Sequence, residues 1–159
     1  MSRLAVLALR VLLVMIFLGT IAVQAWFIPQ FAGTAGRVFP EVSFLAVPYS
    51  VLSISAVVCV QIGLVSLWVL LSMVRRGAIF SGRAFRWVDA IIVAAVVATA
   101  VIFFIEVHLL GVVDVGSPPL GMLLTAVVVA GAAFVLVMIV MRGLLRSATA
   151  LQDELAEVV

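Results

Sequence analysis

The sequence predicts an all-α, polytopic membrane protein: four transmembrane helices in an antiparallel bundle, with the N and C termini in the cytoplasm. Three observations lead there. First, 67% of the 159 residues are hydrophobic and 10% are charged, whereas an ordinary soluble domain is about 45–50% apolar and roughly 25% charged. Second, the apolar residues fall in four long runs without the period-two alternation that a barrel strand requires. Third, the nine arginines, with no lysine beside them, cluster at alternate ends of those runs. A soluble chain this short cannot hide so much apolar surface in one core. A soluble globular enzyme and a disordered chain are both excluded.

The runs are Leu4–Ile28, Pro48–Val74, Val88–Leu110 and Leu120–Met141. A hydrocarbon core of about 30 Å takes about 20 helical residues, so each run can cross. The first also resembles a secretory signal, with Arg3 and Arg10 as its basic region and Val23-Gln24-Ala25 as a loose cleavage site. Its apolar stretch from Val11 runs for about 18 residues, beyond the usual 7–15, and it is read as a retained span. Between the first two runs, the loop Pro29–Val47 carries Gly33, Gly36, Pro40, Phe31, Phe39 and Phe44, a composition suited to lying on the membrane surface. Pro48 suits the opening of the second span, and Ser117 followed by Pro118 suits a cap and first helical position for the fourth.

Arginine placement orients the chain. Arg3, Arg10, Arg75, Arg76, Arg83, Arg86, Arg142 and Arg146 fall on one side and Arg37 alone on the other. The positive-inside rule then puts the termini and the middle loop in the cytoplasm. Trp26 and Tyr49 mark the outer interface, and Trp87 the inner one. Arginine without lysine or asparagine is the usage of a high-GC bacterial genome, and the expected location is the bacterial inner membrane. The net charge is only +2 and forms no stripe, so direct nucleic-acid binding is not expected.

Apolar side chains gain little by leaving lipid for one another, so small residues shape helix packing. Ser55, Cys59 and Gly63, then Ala90, Ala94 and Ala98, then Ala126, Ala130 and Gly131, supply such faces. Packing inside one bundle is the first reading and homodimerisation the alternative. Cys59, with no His or Asp near it in its span, is read as a packing residue.

The middle loop has its own logic. Gly77 suits the end of the second helix and Ser81 the cap of the third, which should start near Gly82. Phe80 and Phe85 then occupy the positions of a hydrophobic staple. Asp89, at the inner end of the third span, is expected to pair with Arg86 or Arg142, with a proton-relay role as the alternative. After the fourth span, Arg142–Val159 should continue as an amphipathic helix. Leu144, Leu145, Ala148, Leu151, Leu155 and Val158 form its stripe, followed in the charge pattern by Asp153, Glu154 and Glu157. It packs on the protein's own cytoplasmic face, or docks a soluble partner.

The basic pair Arg75-Arg76, then Gly77, Phe80 and Ser81, then Arg83 and Arg86 before a span, resemble the central loop of a bacterial family of small four-helix membrane proteins. That family is known only as a domain of unknown function. Leu151-Gln152-Asp153-Glu154-Leu155 is similar to its charged C-terminal helix. The chain departs from it at Ile79, where proline is frequent, at Arg83-Ala84, where asparagine is frequent after the Ser, and in the ending Glu157-Val158-Val159. The resemblance covers the layout of nearly the whole chain and implies, through gene neighbourhood alone, a link to a small helix-turn-helix regulator of the Cro/CI type. It implies no enzymatic activity.

The remaining polar residues are few. Gln24, Gln61, Glu106 and His108 are the candidates for a ligand or proton site. Gln61 lies near the middle of its span, where an interhelical hydrogen bond is the simpler role. Glu106 and His108, two apart on a helix, point about 200° away from each other and cannot face one ion without local distortion, so no metal or other cofactor is expected. No phosphate-binding loop, nucleophile–base pair or haem-attachment motif occurs.

The sequence therefore points to a non-enzymatic membrane interaction or regulatory protein. Its partners would be the lipid bilayer and a cytoplasmic helix-turn-helix regulator or other membrane subunits. Arg75, Arg76, Arg83, Arg86, Leu151, Asp153, Glu154 and Leu155 would form the docking face. The alternatives are a small transporter or lipid- or peptide-binding protein using Gln24, Gln61 and Glu106, an accessory subunit of a larger membrane complex and, more remotely, a membrane enzyme built on His108 with Glu106 or Asp114.

Overall fold

The structure is a computed structural model that describes residues 3–38, 40–75, 82–114 and 117–157, with side chains at all of these but 3, 5, 35, 42, 75, 83 and 151–157. It is all helical. α1 (Arg3–Ala22) passes through a π-turn (Val23–Phe27) directly into α2 (Ile28–Val38). A short 3₁₀ segment (Pro40–Leu45) leads into α3 (Ala46–Arg75). α4 (Gly82–Glu106) ends in a second π-turn (Val107–Val112), and α5 (Pro118–Glu157) runs to the end of the described chain. Four helical stretches are long and apolar enough to cross a membrane: Val6–Val38, Ser43–Val74, Ala84–Val112 and Pro118–Ala150.

The segment between the first two apolar runs differs from the sequence expectation. Pro29 does not end the first helix, which continues to Val38. A proline inside an α-helix leaves the carbonyl four residues earlier without a donor and pushes its ring against it. The π-turn just ahead absorbs this conflict, with the Ile28 N–H bonding back to the Val23 carbonyl. Widened turns of this kind are a recognised cause of helix bends. The segment read as a surface loop is therefore two helical pieces, α2 and the 3₁₀ turn. The loop between α3 and α4, with Arg76, Gly77, Phe80 and Ser81, lies outside the described residues. The ends of α3 at Arg75 and α4 at Gly82 flank it.

The helices pack serially. α3 lies against α4, α4 against α5, and α1 and α2 against α3. α4 is the most enclosed, with 22% of its apolar window buried, while none of the corresponding window of α5 is buried. The small residues Ala84 and Ala94 and the branched Val88 and Ile91 are among the buried residues of α4. On α5 the partly covered positions include Gly121, Leu124, Val128, Gly131, Val135, Met138, Leu145 and Thr149. Steps of three and four from Gly121 to Met138, then one of seven to Leu145 and one of four to Thr149, make a coiled-coil-like seam. At its middle Gly131 meets Thr99 of α4, so closely that a Cβ there would stand 3.1 Å from Thr99 Cγ2.

At the other edge Val6 and Leu13 of α1 meet Leu71 of α3, with Leu9 and Leu64 packed around them. The Arg10 guanidinium lies 5.3 Å from the centre of the Trp68 ring, where cation–π attraction helps hold a charge beside an apolar span. α5 opens as its sequence suggests: the Ser117 carbonyl accepts from the Leu120 and Gly121 N–H groups at 2.9 and 3.2 Å. Asp114, just after the second π-turn, has φ of 52°, a left-handed conformation that Asp tolerates better than most residues.

Candidate functional site

Polar side chains in an apolar bilayer must find partners within the protein. Here they collect at three places. The first lies between α1 and α3. The Gln61 amide donates to Thr20 Oγ1 at 3.2 Å and to Gln24 Oε1 at 3.1 Å. Gln24 in turn donates to the Ile54 carbonyl across a long 3.5 Å. Thr20 sits one turn before Gln24, on the same face, and the π-turn beginning at Val23 carries Gln24. Thr20 itself donates to the Phe17 carbonyl at 2.7 Å. This ladder ties the loosely packed first helix to α3, and both N–H donors of Gln61 are spent within it.

The second place joins α3 to the π-turn after α4. Tyr49 Oη lies 2.6 Å from His108 Nδ1. Phe104, one turn before His108, stacks on the imidazole with ring centres 5.9 Å apart and planes at 23°. Tyr49 meets it edge-on at 6.0 Å and 65°. π-turns recur at functional positions because they re-aim one side chain without ending the helix. Here the turn carries His108, while Glu106 immediately before it goes elsewhere. The Glu106 carboxylate accepts from the Thr125 hydroxyl of α5. Thr125 also lies 3.0 Å from the Gly121 carbonyl, so its one proton is shared between two acceptors. Glu106 therefore serves the α4–α5 contact and His108 the α3–α4 contact. Gln24 and Gln61 come together, but Glu106 and His108 each bond elsewhere. Among the described residues no three His, Cys, Asp or Glu side chains gather as a metal site.

The third place is at the opposite end of α4. Asp89 pairs with Arg142 of α5, with Arg142 Nη2 3.1 Å from Asp89 Oδ2. Both side chains remain nearly half exposed. Arg86, the other expected partner, is exposed, one turn before Asp89 on α4. Of the remaining docking candidates, Arg75 ends α3 and Arg83 lies in the first turn of α4. Leu151, Asp153, Glu154 and Leu155 continue α5, and their side chains, like those of Arg75 and Arg83 and the whole of Arg76, lie outside the description. The sequence reading missed Tyr49 as the partner of His108 and Thr125 as that of Glu106. No spacing signal links residues 49 and 108; the pairing depends on which helices are neighbours. It also missed both π-turns, although Pro29 inside an apolar run was a usable signal for the first.

A family model matches residues 30–159. The chain belongs to DUF2975, described as a protein of unknown function. The DUF2975 match takes in most of α2 and all of α3, α4 and α5, and with them Tyr49, His108, Glu106, Thr125, Asp89 and Arg142. α1 and the first π-turn, with Thr20 and Gln24, precede it. The loop and tail motifs singled out in the sequence fall inside the DUF2975 region. Comparison with curated proteins and with solved structures gave no match.

Proposed function

We propose that the protein is a non-enzymatic interaction protein of the bacterial inner membrane, an antiparallel four-helix bundle with both termini in the cytoplasm. Its docking face for a soluble partner is the Arg75–Arg86 loop with the end of α5, and a helix-turn-helix regulator is the first partner to try. The arginine distribution supports the orientation. The pairs Thr20–Gln61, Arg10–Trp68, Asp89–Arg142 and Glu106–Thr125 support the antiparallel order, because in each helix pair a later residue of one meets an earlier residue of the other.

One observation carries the docking role. α5 is a single helix of 40 residues, about 60 Å long at 1.5 Å per residue, twice the thickness of a hydrocarbon core. Its seam on α4 passes Arg142 and reaches Thr149, while α4 begins at Gly82, seven residues before Asp89. The turns from Leu151 onward thus extend past the start of α4. A helical arm with an alternating Leu and acid pattern is suited to a partner's groove. The test is affinity capture from native membranes, comparing the full chain with one ending after Arg146. Capture of a soluble regulator by the full chain alone supports the reading; equal capture by both forms removes the arm from it.

A second reading, an accessory subunit of a larger membrane complex, is favoured by the wholly unburied apolar window of α5. Capture of the same membrane proteins by both forms would select it.

A further inference from the structure

Along α1's continuation into α2, outside the three polar clusters, runs an open groove of about 320 Å³. Trp26, Pro29, Gln30, Gly33, Thr34 and Arg37 line it. We propose that this groove holds the phosphate of an anionic lipid headgroup, with Arg37 as its charge partner. Three independent observations converge. Arg37 is exposed, and among the described residues no carboxylate pairs with it. It is also the one arginine of nine on the side that the positive-inside rule leaves poor in arginine, so its placement there runs against the trend that orients the rest of the chain. Lastly, Gln24 bonds to Gln61 near the middle of α3. From Gln24 the helix rises about 20 Å to Arg37, past the roughly 15 Å of half a hydrocarbon core, which sets Arg37 alongside headgroups rather than acyl chains.

The chemistry fits a phosphate diester. The guanidinium offers forked N–H donors matched to phosphate oxygens. The Gln30 amide adds N–H donors on the same helix face, one turn from Thr34 and about two from Arg37. The Thr34 hydroxyl is already committed to the Gln30 carbonyl at 3.0 Å, so it shapes the floor rather than donating to the ligand. Gly33 keeps the middle open: a Cβ there would meet nothing within 4 Å.

The proposal rests on the orientation above only for the leaflet concerned, and its test is blind to orientation. The purified full chain in detergent is given either phosphatidylglycerol or phosphatidylcholine, and retained lipid is counted by native mass spectrometry. Wild-type protein is expected to retain phosphatidylglycerol over phosphatidylcholine. Arg37→Gln should lower that retention about tenfold or more, as loss of a charge-assisted hydrogen bond implies. Arg37→Lys should keep part of it, and Gly33→Phe, which fills the groove while leaving the charge, should abolish it. Inorganic phosphate and glycerol 3-phosphate, added against phosphatidylglycerol, distinguish a soluble phosphate as the source: if either displaces it at micromolar concentration, the ligand is a free phosphate compound and the lipid assignment falls. Equal retention by wild type, Arg37→Gln and Gly33→Phe overturns the site altogether. Orientation is read separately, by labelling a cysteine placed at position 37 from outside intact cells in a Cys59→Ser background; its failure would move the leaflet and leave the retention result standing.

Discussion

Replacing Gly131 with alanine should weaken the α4–α5 seam, and the structure says by how much. The added Cβ would lie 3.1 Å from Thr99 Cγ2 and 3.3 Å from Thr99 Cβ, and closer still to Oγ1. Thr99 has little freedom to yield. Its Oγ1 donates to the Ala95 carbonyl at 2.8 Å, and a β-branched side chain in a helix has few rotamers. The helices must therefore part, and overpacking of this kind costs about 1–3 kcal/mol. Alanine also favours the helix over glycine by about 1 kcal/mol, which masks part of the loss. Gly143→Ala isolates that gain, because a Cβ there would meet nothing within 4 Å. Stability measured by circular dichroism during unfolding in mixed SDS and dodecylmaltoside micelles should then rank Gly143→Ala at or above wild type. Gly131→Ala should fall about 1–3 kcal/mol below Gly143→Ala. Adding Thr99→Ala removes Oγ1 and Cγ2 and should restore most of the difference, a coupling that distant sites do not show. If Gly131→Ala and Gly143→Ala prove equally stable, or Thr99→Ala rescues nothing, the close approach is not what sets this seam.

Three further outcomes are expected. Tyr49→Phe should shift the His108 Nδ1 resonance in ¹⁵N-histidine spectra, from a hydrogen-bonded nitrogen to a free one, while leaving the helical content unchanged. An unshifted resonance would mean that the phenol does not bond there. Gln61→Leu should destabilise the protein by about 0.6 kcal/mol and no more than about 1.7, the range of interhelical hydrogen bonds in membranes; Gln24→Leu added to it should cost less than its own single value, and strict additivity would disprove the shared ladder. Asp89→Asn and Arg142→Gln should each cost under about 1 kcal/mol, as exposed pairs do, and the exchanged pair Asp89→Arg with Arg142→Asp should recover that loss in the same micelle titration.

The architecture was legible because the bilayer imposes one-dimensional demands. Run length, the absence of alternation and the end at which arginines sit are all visible along the chain, and so was the start of α4 near Gly82. The Ser117–Pro118 boundary was visible too, since capping is local. What escaped was either non-local or a compromise. Tyr49 and His108 meet only because α3 neighbours α4. Glu106 finds Thr125 only because α5 lies on the other side. Pro29 was taken as a stop, because proline normally ends a helix; the π-turn that lets the helix continue depends on a backbone alternative that hydropathy does not record. Asp89 was narrowed to two partners by its position at the end of its apolar run, and choosing between them required knowing how α5 lies on α4.

The π-turn at Val23–Phe27 bears on how this chain tolerates changes of length. A π-turn is an α-helix with one residue to spare, and removing that residue returns the segment to ordinary register. A single deletion or insertion elsewhere in α1 would rotate everything before it by about 100°, turning Leu13 away from Leu71 and Thr20 away from Gln61. Within the π-turn a single deletion is taken up on the spot. The turn at Val107–Val112 offers the same allowance after α4. Homologous chains are thus free to be one residue shorter at these two points while keeping the helix faces in place, and in an alignment of the family, which begins at residue 30, single-residue gaps should gather at Val107–Val112 as well as in the loops.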